Sequence, residues 1–191
     1  MQLILASQSP RRKELLSLFH IPFTVRVADI DEAIDASKAP AQEVARVSRA
    51  KAMAIPHSED DVVIAADTIV VLGDQVLGKP KNTDHAEAML RALSGRDHQV
   101  MTGVTVLKGD TCLTHTEITD IHFRDLSDSE IRSYVASGEP MDKAGAYGIQ
   151  GGAALFADSM RGDYYNVMGL PVCRLFLMLK MIAPEIMEDT Q

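Results

Sequence analysis

Apolar runs of strand length alternate with helical spacings along the whole chain. Residues 3–7 read as a first buried strand, and Ser9-Pro10 then opens a helix. Serine caps its free amides, and proline at the first helical position gives up no needed hydrogen bond. Leu15, Leu16, Leu18 and Phe19 supply the buried face of that helix. Phe23, Val25 and Val27 alternate as a strand that ends in the acidic turn Asp29-Ile30-Asp31-Glu32, and residues 41–55 return to helical spacing. Residues 61–72 form a long β-branched run interrupted by Ala-Ala-Asp-Thr and closed by a turn at Gly73-Asp74. A capped helix follows over Thr83–Leu93 and stops at Gly95. Residues 100–107 and 113–123 are expected to pair as a hairpin through Lys108-Gly109-Asp110. Ser127 and Glu130 form a capping box for a helix that ends at Gly138. After a glycine-rich segment at 145–152, a short strand is expected near 154–157, and Gly169-Leu170-Pro171 opens a final helix reaching about Ile182.

This alternation, with two long central strands joined by a hairpin, predicts an α/β fold whose mixed sheet is flanked by helices. At 191 residues the chain has room for one ordinary domain or two small lobes sharing a core. No repeat, linker or low-complexity tract divides it, so residues 1–191 are read as a single domain.

Composition narrows the function classes. Hydrophobic residues make up 46% and charged residues 24%, a globular balance. The apolar start is short and precedes the basic residues, the reverse of an export signal, and no apolar stretch approaches the ~20 residues a membrane span needs. Cys112 and Cys173 lie in apolar surroundings without metal-type spacing, which predicts two buried thiols rather than a disulfide. A cytoplasmic protein with no membrane partner is expected. Net charge is −8 and only 5% of residues are aromatic, with no basic tail, which argues against a nucleic-acid partner. A small phosphorylated ligand stays compatible, since a local cationic pocket works against an acidic background.

Four segments carry chemistry. In Ser7-Gln8-Ser9-Pro10-Arg11-Arg12-Lys13, hydroxyls, guanidinium groups and the amides of a helix N-terminus converge. Such a start favours phosphate, whereas three bases in a first turn oppose the helix dipole unless an anion compensates. An ordinary capped surface helix is the plain alternative. Asp67-Thr68 is embedded in VVIAADTIVVL. A carboxylate inside an apolar strand is costly unless it is paired or binds a metal, although a surface bend would also accommodate it. Asp29, Asp31 and Glu32 offer further carboxylates for a divalent cation, which binds through one or two acids plus substrate phosphates; alone, that turn is a solvated loop. The stretch from Gly73 to Pro80 matches most of a P-loop, but Pro80 stands where the metal-binding hydroxyl is required, and the segment looks like a hairpin return. Lys79 is kept as a phosphate contact, with simple solvation equally compatible. The segment from Asp142 to Gly152 lacks a dinucleotide fingerprint. Its glycines allow close approach of a ligand and Gln150 offers a donor and an acceptor to a base edge, while a plain glycine-rich turn fits the spacing as well. The histidines form no ligand pair, no G-x-S-x-G elbow occurs, and Met178 and Met181 read as core.

Taken together, LILASQSPRRKELL, DIDE, ARVSRAKA, AADTIVVL, LGKP, LSGRDHQVMTGV, YVASGEPMDKAGAYGIQGG and YNVMGLP resemble the Maf family of nucleotide pyrophosphatases over nearly the whole chain. The resemblance implies a fold similar to the inosine triphosphate pyrophosphatases, an elongated mixed sheet with two lobes and a central cleft, and a homodimer. SPRR, ADT and AGAYGIQG look like the branch that hydrolyses dTTP and UTP to the monophosphate and pyrophosphate; the 7-methyl-GTP branch carries tryptophan after Ser-Pro. By that match Asp67 is the catalytic base, and Arg12, Thr68 and Gln150 set base specificity. Ser7, Arg11, Lys51 and Lys79 hold phosphates, and Glu32 with Asp67 faces a divalent Mg²⁺ or Mn²⁺. Ala50 departs from relatives that carry glutamate before the lysine. The alternatives are a non-catalytic nucleotide-binding regulator of cell division and a pyrophosphatase for another nucleotide.

Overall fold

A computed structural model of the chain describes residues 1–27 and 29–188. The β-branched run forms β3 (Val62–Leu72) as one strand that carries Asp67 and Thr68 within it, as expected. Ala65 and Ala66 are fully buried and small enough to be covered on both faces, so the ladder continues through Asp67 and Thr68. β1 (Leu3–Leu5) lies parallel to β2 (Phe23–Val25) and to β3, with Leu3 opposite both Phe23 and Val62. β4 (Gln75–Leu77) returns antiparallel on β3 across Gly73-Asp74, the hairpin return anticipated for the near-P-loop stretch. β5 (Asp97–Lys108) and β6 (Thr111–Phe123) are joined by Gly109-Asp110, where Gly109 adopts φ +51°. β7 (Ala157–Arg161) pairs antiparallel with β6; the strand expected near 154–157 begins only at Ala157, because residues 152–155 wind as a 3-10 turn. The β7 sequence ADSMR has no apolar alternation to announce it; it is an edge strand whose Arg161 pairs with Asp120 of β6 at 2.6 Å. The sheet order β2-β1-β3-β5-β6-β7, with β4 on β3, mixes parallel and antiparallel pairs.

The helices are α1 (Pro10–Ser17), α2 (Pro40–Met53), α3 (Thr83–Leu93), α4 (Asp128–Ala136), α5 (Tyr164–Met168), α6 (Val172–Ile182) and α7 (Pro184–Glu188). Both bonds of the expected capping box are made at α4. The chain forms two compact units, residues 1–67, 102–117 and from 169 onward, and residues 68–101 with 118–168. β3, β5 and β6 each contribute residues to both.

The first unit buries Ile4, Ala6, Ala52, Ile55, Val63, Ala65 and Leu107 together. α2 runs so close to β5 that a Cβ at Gly103 would stand 2.4 Å from the Val44 carbonyl oxygen. Cys112 is half-buried and Cys173 exposed, and Met181 is 74% exposed while Met178 is buried, so neither the buried thiol at Cys173 nor the core role of Met181 holds. α6 is apolar on more of its circumference than its neighbours cover, which the sequence pattern alone does not distinguish from a fully buried helix. In the second unit Phe123 is the centre of an aromatic cluster, edge-on to His98 and Tyr147 with centroids 4.8 Å away in each case. Among the described residues no helix is long and apolar enough to cross a membrane.

Candidate active site

The start of α1 is built as its sequence suggested. Ser9 caps the helix, its hydroxyl accepting from the Arg12 amide at 3.4 Å, and the Ser7 hydroxyl accepts from the Ser9 amide at 3.2 Å. Arg12 does not project freely from the first turn. Its Nε donates to the Gly169 carbonyl at 2.8 Å and its Nη1 to the Ser7 hydroxyl at 3.3 Å, which fixes the plane of the guanidinium. Burial disfavours the Arg12 charge, the negative charges of Asp67 and Glu32 oppose that effect, and Arg11 adds repulsion. Arg11 is half-buried and has no hydrogen-bond partner or ion pair among the described residues.

Lys51, three turns along α2, points its ammonium at the middle of β3. Nζ donates to Asp67 Oδ1 at 2.7 Å and stands 2.9 Å from Glu32 Oε2, with only 10% of the lysine side chain and 14% of that of Asp67 exposed. The embedded carboxylate is therefore paired, as its desolvation requires. Glu32 is held near it by a brace not anticipated from sequence. Glu43 of α2 is buried, accepts the Asp35 amide at 3.0 Å and binds Arg46, whose Nη2 donates to the Ala33 carbonyl at 2.7 Å. The Arg46 bonds, then the Asp35 amide, hold the Glu43 carboxyl below its ordinary range. Ser7, Arg11, Arg12, Glu32, Lys51 and Asp67 thus share the first unit, and Thr68 follows Asp67 on β3.

Two carboxylates that approach one ammonium lie within two hydrogen-bond lengths of each other. That donor set fits Mg²⁺ or Mn²⁺, hard cations that take one or two carboxylates and complete their shells with phosphate oxygens and water. Among the described residues no cluster of three or more metal-ligating side chains could hold an ion without such help.

Lys79 and Gln150 belong to the second unit and both are exposed. The loop carrying Lys79 is tied to the glycine-rich segment by the Gly145 amide, which donates to the Gly78 carbonyl at 3.0 Å. The glycines of that segment answer to side chains of the protein itself. A Cβ on Gly145 would stand 2.8 Å from Val70 Cγ2, one on Gly148 2.6 Å from Lys143 Cε, and one on Gly151 2.0 Å from Glu139 Oε1. A cavity of about 470 Å³ in the same unit is lined by Asp97, Gln99, Asp120, His122 and Arg161 among others. Its polar groups pair across strands, His122 with Asp97 at 2.8 Å and Gln99 with Asp120 at 2.8 Å, and none of the candidate catalytic, substrate or metal residues lines it. The Gly169 carbonyl, the Glu43–Arg46 brace and Glu139 were not read from sequence: a backbone acceptor leaves no residue signature, and an i,i+3 ion pair on a helix reads as a solvated face.

Residues 2–182 match the family model described as Maf-like protein. The chain is 52% identical over 174 residues to a dTTP/UTP pyrophosphatase of Geobacillus sp. (strain WCH70), covering 91% of this chain and 94% of that protein. It is 46% identical over 180 residues to a protein of the same name from Bacillus cereus (strain B4264), covering 94% of each. Among solved structures, a HAM1 protein from Coxiella burnetii aligns at TM-score 0.48 and 16% identity over 95% of this chain and 99% of that one. With the family model and relatives near half identity both spanning nearly its full length, the chain belongs to the Maf family.

Proposed function

We propose that this protein is a nucleoside triphosphate pyrophosphatase that hydrolyses dTTP and UTP to the monophosphate and pyrophosphate. The relatives bear that name over more than nine-tenths of the chain. The observation that carries the chemistry is the Lys51 ammonium between Asp67 and Glu32, beside a helix start whose Arg11 has no partner among the described residues. A cation-rich helix start supports phosphate binding, and a half-buried carboxylate next to it supports a base.

In this reading Asp67 orients and deprotonates a water for in-line attack on the α-phosphorus, and the bond to the bridging oxygen breaks as pyrophosphate leaves. Ser7, Arg11, Lys51 and Lys79 hold the phosphates and offset charge that develops on them. Arg12, Thr68 and Gln150 select the base. Glu32 and Asp67 would hold a divalent cation, which neutralises the triphosphate and polarises its oxygens when bound. A regulator that only binds nucleotide has no use for a lysine-held carboxylate pair, and no feature of the structure favours it. Cytoplasmic residence, a single functional domain and a homodimer belong to the same proposal; sedimentation of the purified protein tests the last.

The deciding experiment incubates the protein with Mg²⁺ or Mn²⁺ and a panel of nucleoside triphosphates while monophosphate and pyrophosphate are followed. Release from dTTP and UTP, with little from ATP or 7-methyl-GTP, is expected. Activity on another base would overturn the specificity residues, and release from none would move the reading to a binding protein.

A further inference from the structure

The segment that carries Gln150 has no regular secondary structure of more than four residues, yet it is fastened on both sides of that glutamine. Two residues before it, the Gly148 amide donates to the Tyr134 hydroxyl at 3.1 Å. Two residues after it, the Gly152 amide donates to Glu139 Oε2 at 3.1 Å. The fastenings are one network, because the Tyr134 hydroxyl donates its proton to Glu139 Oε1 at 2.9 Å. Tyr134 is anchored in turn on α4, 7% exposed and edge-on to Phe156 at 5.1 Å. Lys143 closes the underside, its Nζ donating to the Glu139 carbonyl and to Asp142 Oδ1, each at 2.7 Å. The loop backbone lies directly on these groups, as the blocked Cβ positions at Gly148 and Gly151 require.

We infer that Glu139, acting with Tyr134, is the positioning residue that sets the base selectivity expressed through Gln150. The inference rests on the proposed reading of Gln150 as a contact to the base. A primary amide presents a donor and an acceptor that exchange places on a half-turn of its terminal torsion. Uracil and thymine offer a ring N–H between carbonyl oxygens, and cytosine offers a bare ring nitrogen beside an amino group. A glutamine free to shift and turn can serve either pattern, so discrimination depends on how firmly its backbone is held.

Proton counting explains why glutamate is suited to position 139. Two donors, the Tyr134 O–H and the Gly152 N–H, point at its two oxygens. Glutamine supplies one acceptor oxygen and a donating amide, so one of the two donors loses its partner. Tyr134→Phe removes both the donor to Glu139 and the acceptor for Gly148.

The test measures kcat and KM for UTP and CTP in the parent, Glu139→Gln, Tyr134→Phe, the double variant and Gln150→Ala, with amide hydrogen exchange followed at Gly148 and Gly152. The expected result is a fall of about tenfold or more in the UTP:CTP ratio of kcat/KM for Glu139→Gln and Tyr134→Phe. That fall arises mainly in KM for UTP, with kcat moving far less and exchange accelerating at the two glycines. The double variant should be no worse than the poorer single one, since both break one network. If Gln150→Ala collapses the ratio and the brace variants keep it, the role of Glu139 is overturned and the reading of Gln150 survives. An equal loss on both nucleotides at constant ratio, carried by kcat, would make Glu139 merely structural and also overturn the inference. If Gln150→Ala itself keeps the ratio, the reading of Gln150 falls and takes the inference with it.

Discussion

Asp67 and Glu32 share a single ammonium and lie within electrostatic reach of Arg12 at the start of α1. Asp67→Asn separates structure from chemistry here. Asparagine keeps an oxygen that accepts from Lys51 Nζ, so the fold is expected to persist, but the basic lone pair is gone. Turnover should drop by about 10²–10⁴-fold with a melting curve close to the parent's; a variant that kept most of its pyrophosphate release would remove Asp67 from the role of base. A second residue-scale consequence belongs to His98, which is 2% exposed, with its Nε2 2.8 Å from the Tyr147 hydroxyl. Burial pushes its pKa from 6.5 down to about 4. The folded protein then keeps His98 neutral where the unfolded chain already binds a proton, so stability is full above pH 6.5 and falls as pH drops toward 4. The gap amounts to about 3 kcal/mol. Urea unfolding at pH 7, 5.5 and 4.5 should show the decline, and His98→Phe should lose that slope. Glu130, held down to about 2 by Arg124 and the Ser127 cap, adds its own loss only below 4.5.

Among the elements, the contact between α2 and β5 leaves no room for a side chain at Gly103, and α2 also carries Lys51. A methyl at Gly103 cannot coexist with the Val44 carbonyl oxygen at 2.4 Å, so Gly103→Ala must push α2 off the sheet. Overpacking of this kind costs about 1–3 kcal/mol. Because α2 also carries the lysine that meets Asp67, activity should fall beyond what the lowered melting temperature explains; a variant that melts lower yet turns over normally at 25 °C would show that the contact is structural only. Gly103 is also a measure of what the sequence disclosed. VVIAADTIVVL, the Gly109-Asp110 hairpin and the Ser127–Glu130 box were legible because each is a local pattern with a local cause. The Ser9 cap of α1 was legible for the same reason. The pairing of Lys51 with Asp67 joins positions sixteen residues apart through tertiary packing, which no spacing rule encodes, and its lysine was singled out only by family resemblance. The glycines at 145–152 were visible, but the groups that require them, Val70, Lys143 and Glu139, were not. β7 and the exposed face of α6 escaped for a third reason: an edge strand need not alternate, and an apolar helix need not be fully covered.

For the molecule as a whole, electrostatics set the terms of substrate binding. A chain of net charge −8 repels a polyanionic triphosphate, so attraction has to be local. The local cations are Arg11, Arg12 and Lys51, but Arg12 already serves Ser7 and Gly169, and Lys51 is committed to two carboxylates. The protein's own positive charge near Asp67 is thus largely spoken for, which is the physical argument for a divalent cation entering with the substrate. Chelation with EDTA should abolish turnover, and Mg²⁺ or Mn²⁺ should restore it. Glu32→Gln should raise the metal concentration for half-maximal rate by about 10-fold or more, with the rate recovering at saturating metal, because the variant weakens one ligand and leaves Asp67 in place. Nucleotide binding measured in parallel by calorimetry separates the effects: without metal the affinity for UTP should fall along with the rate. Retention of the full rate after exhaustive chelation would mean that Lys51 and the arginines suffice, and Glu32 would then serve only to hold the lysine.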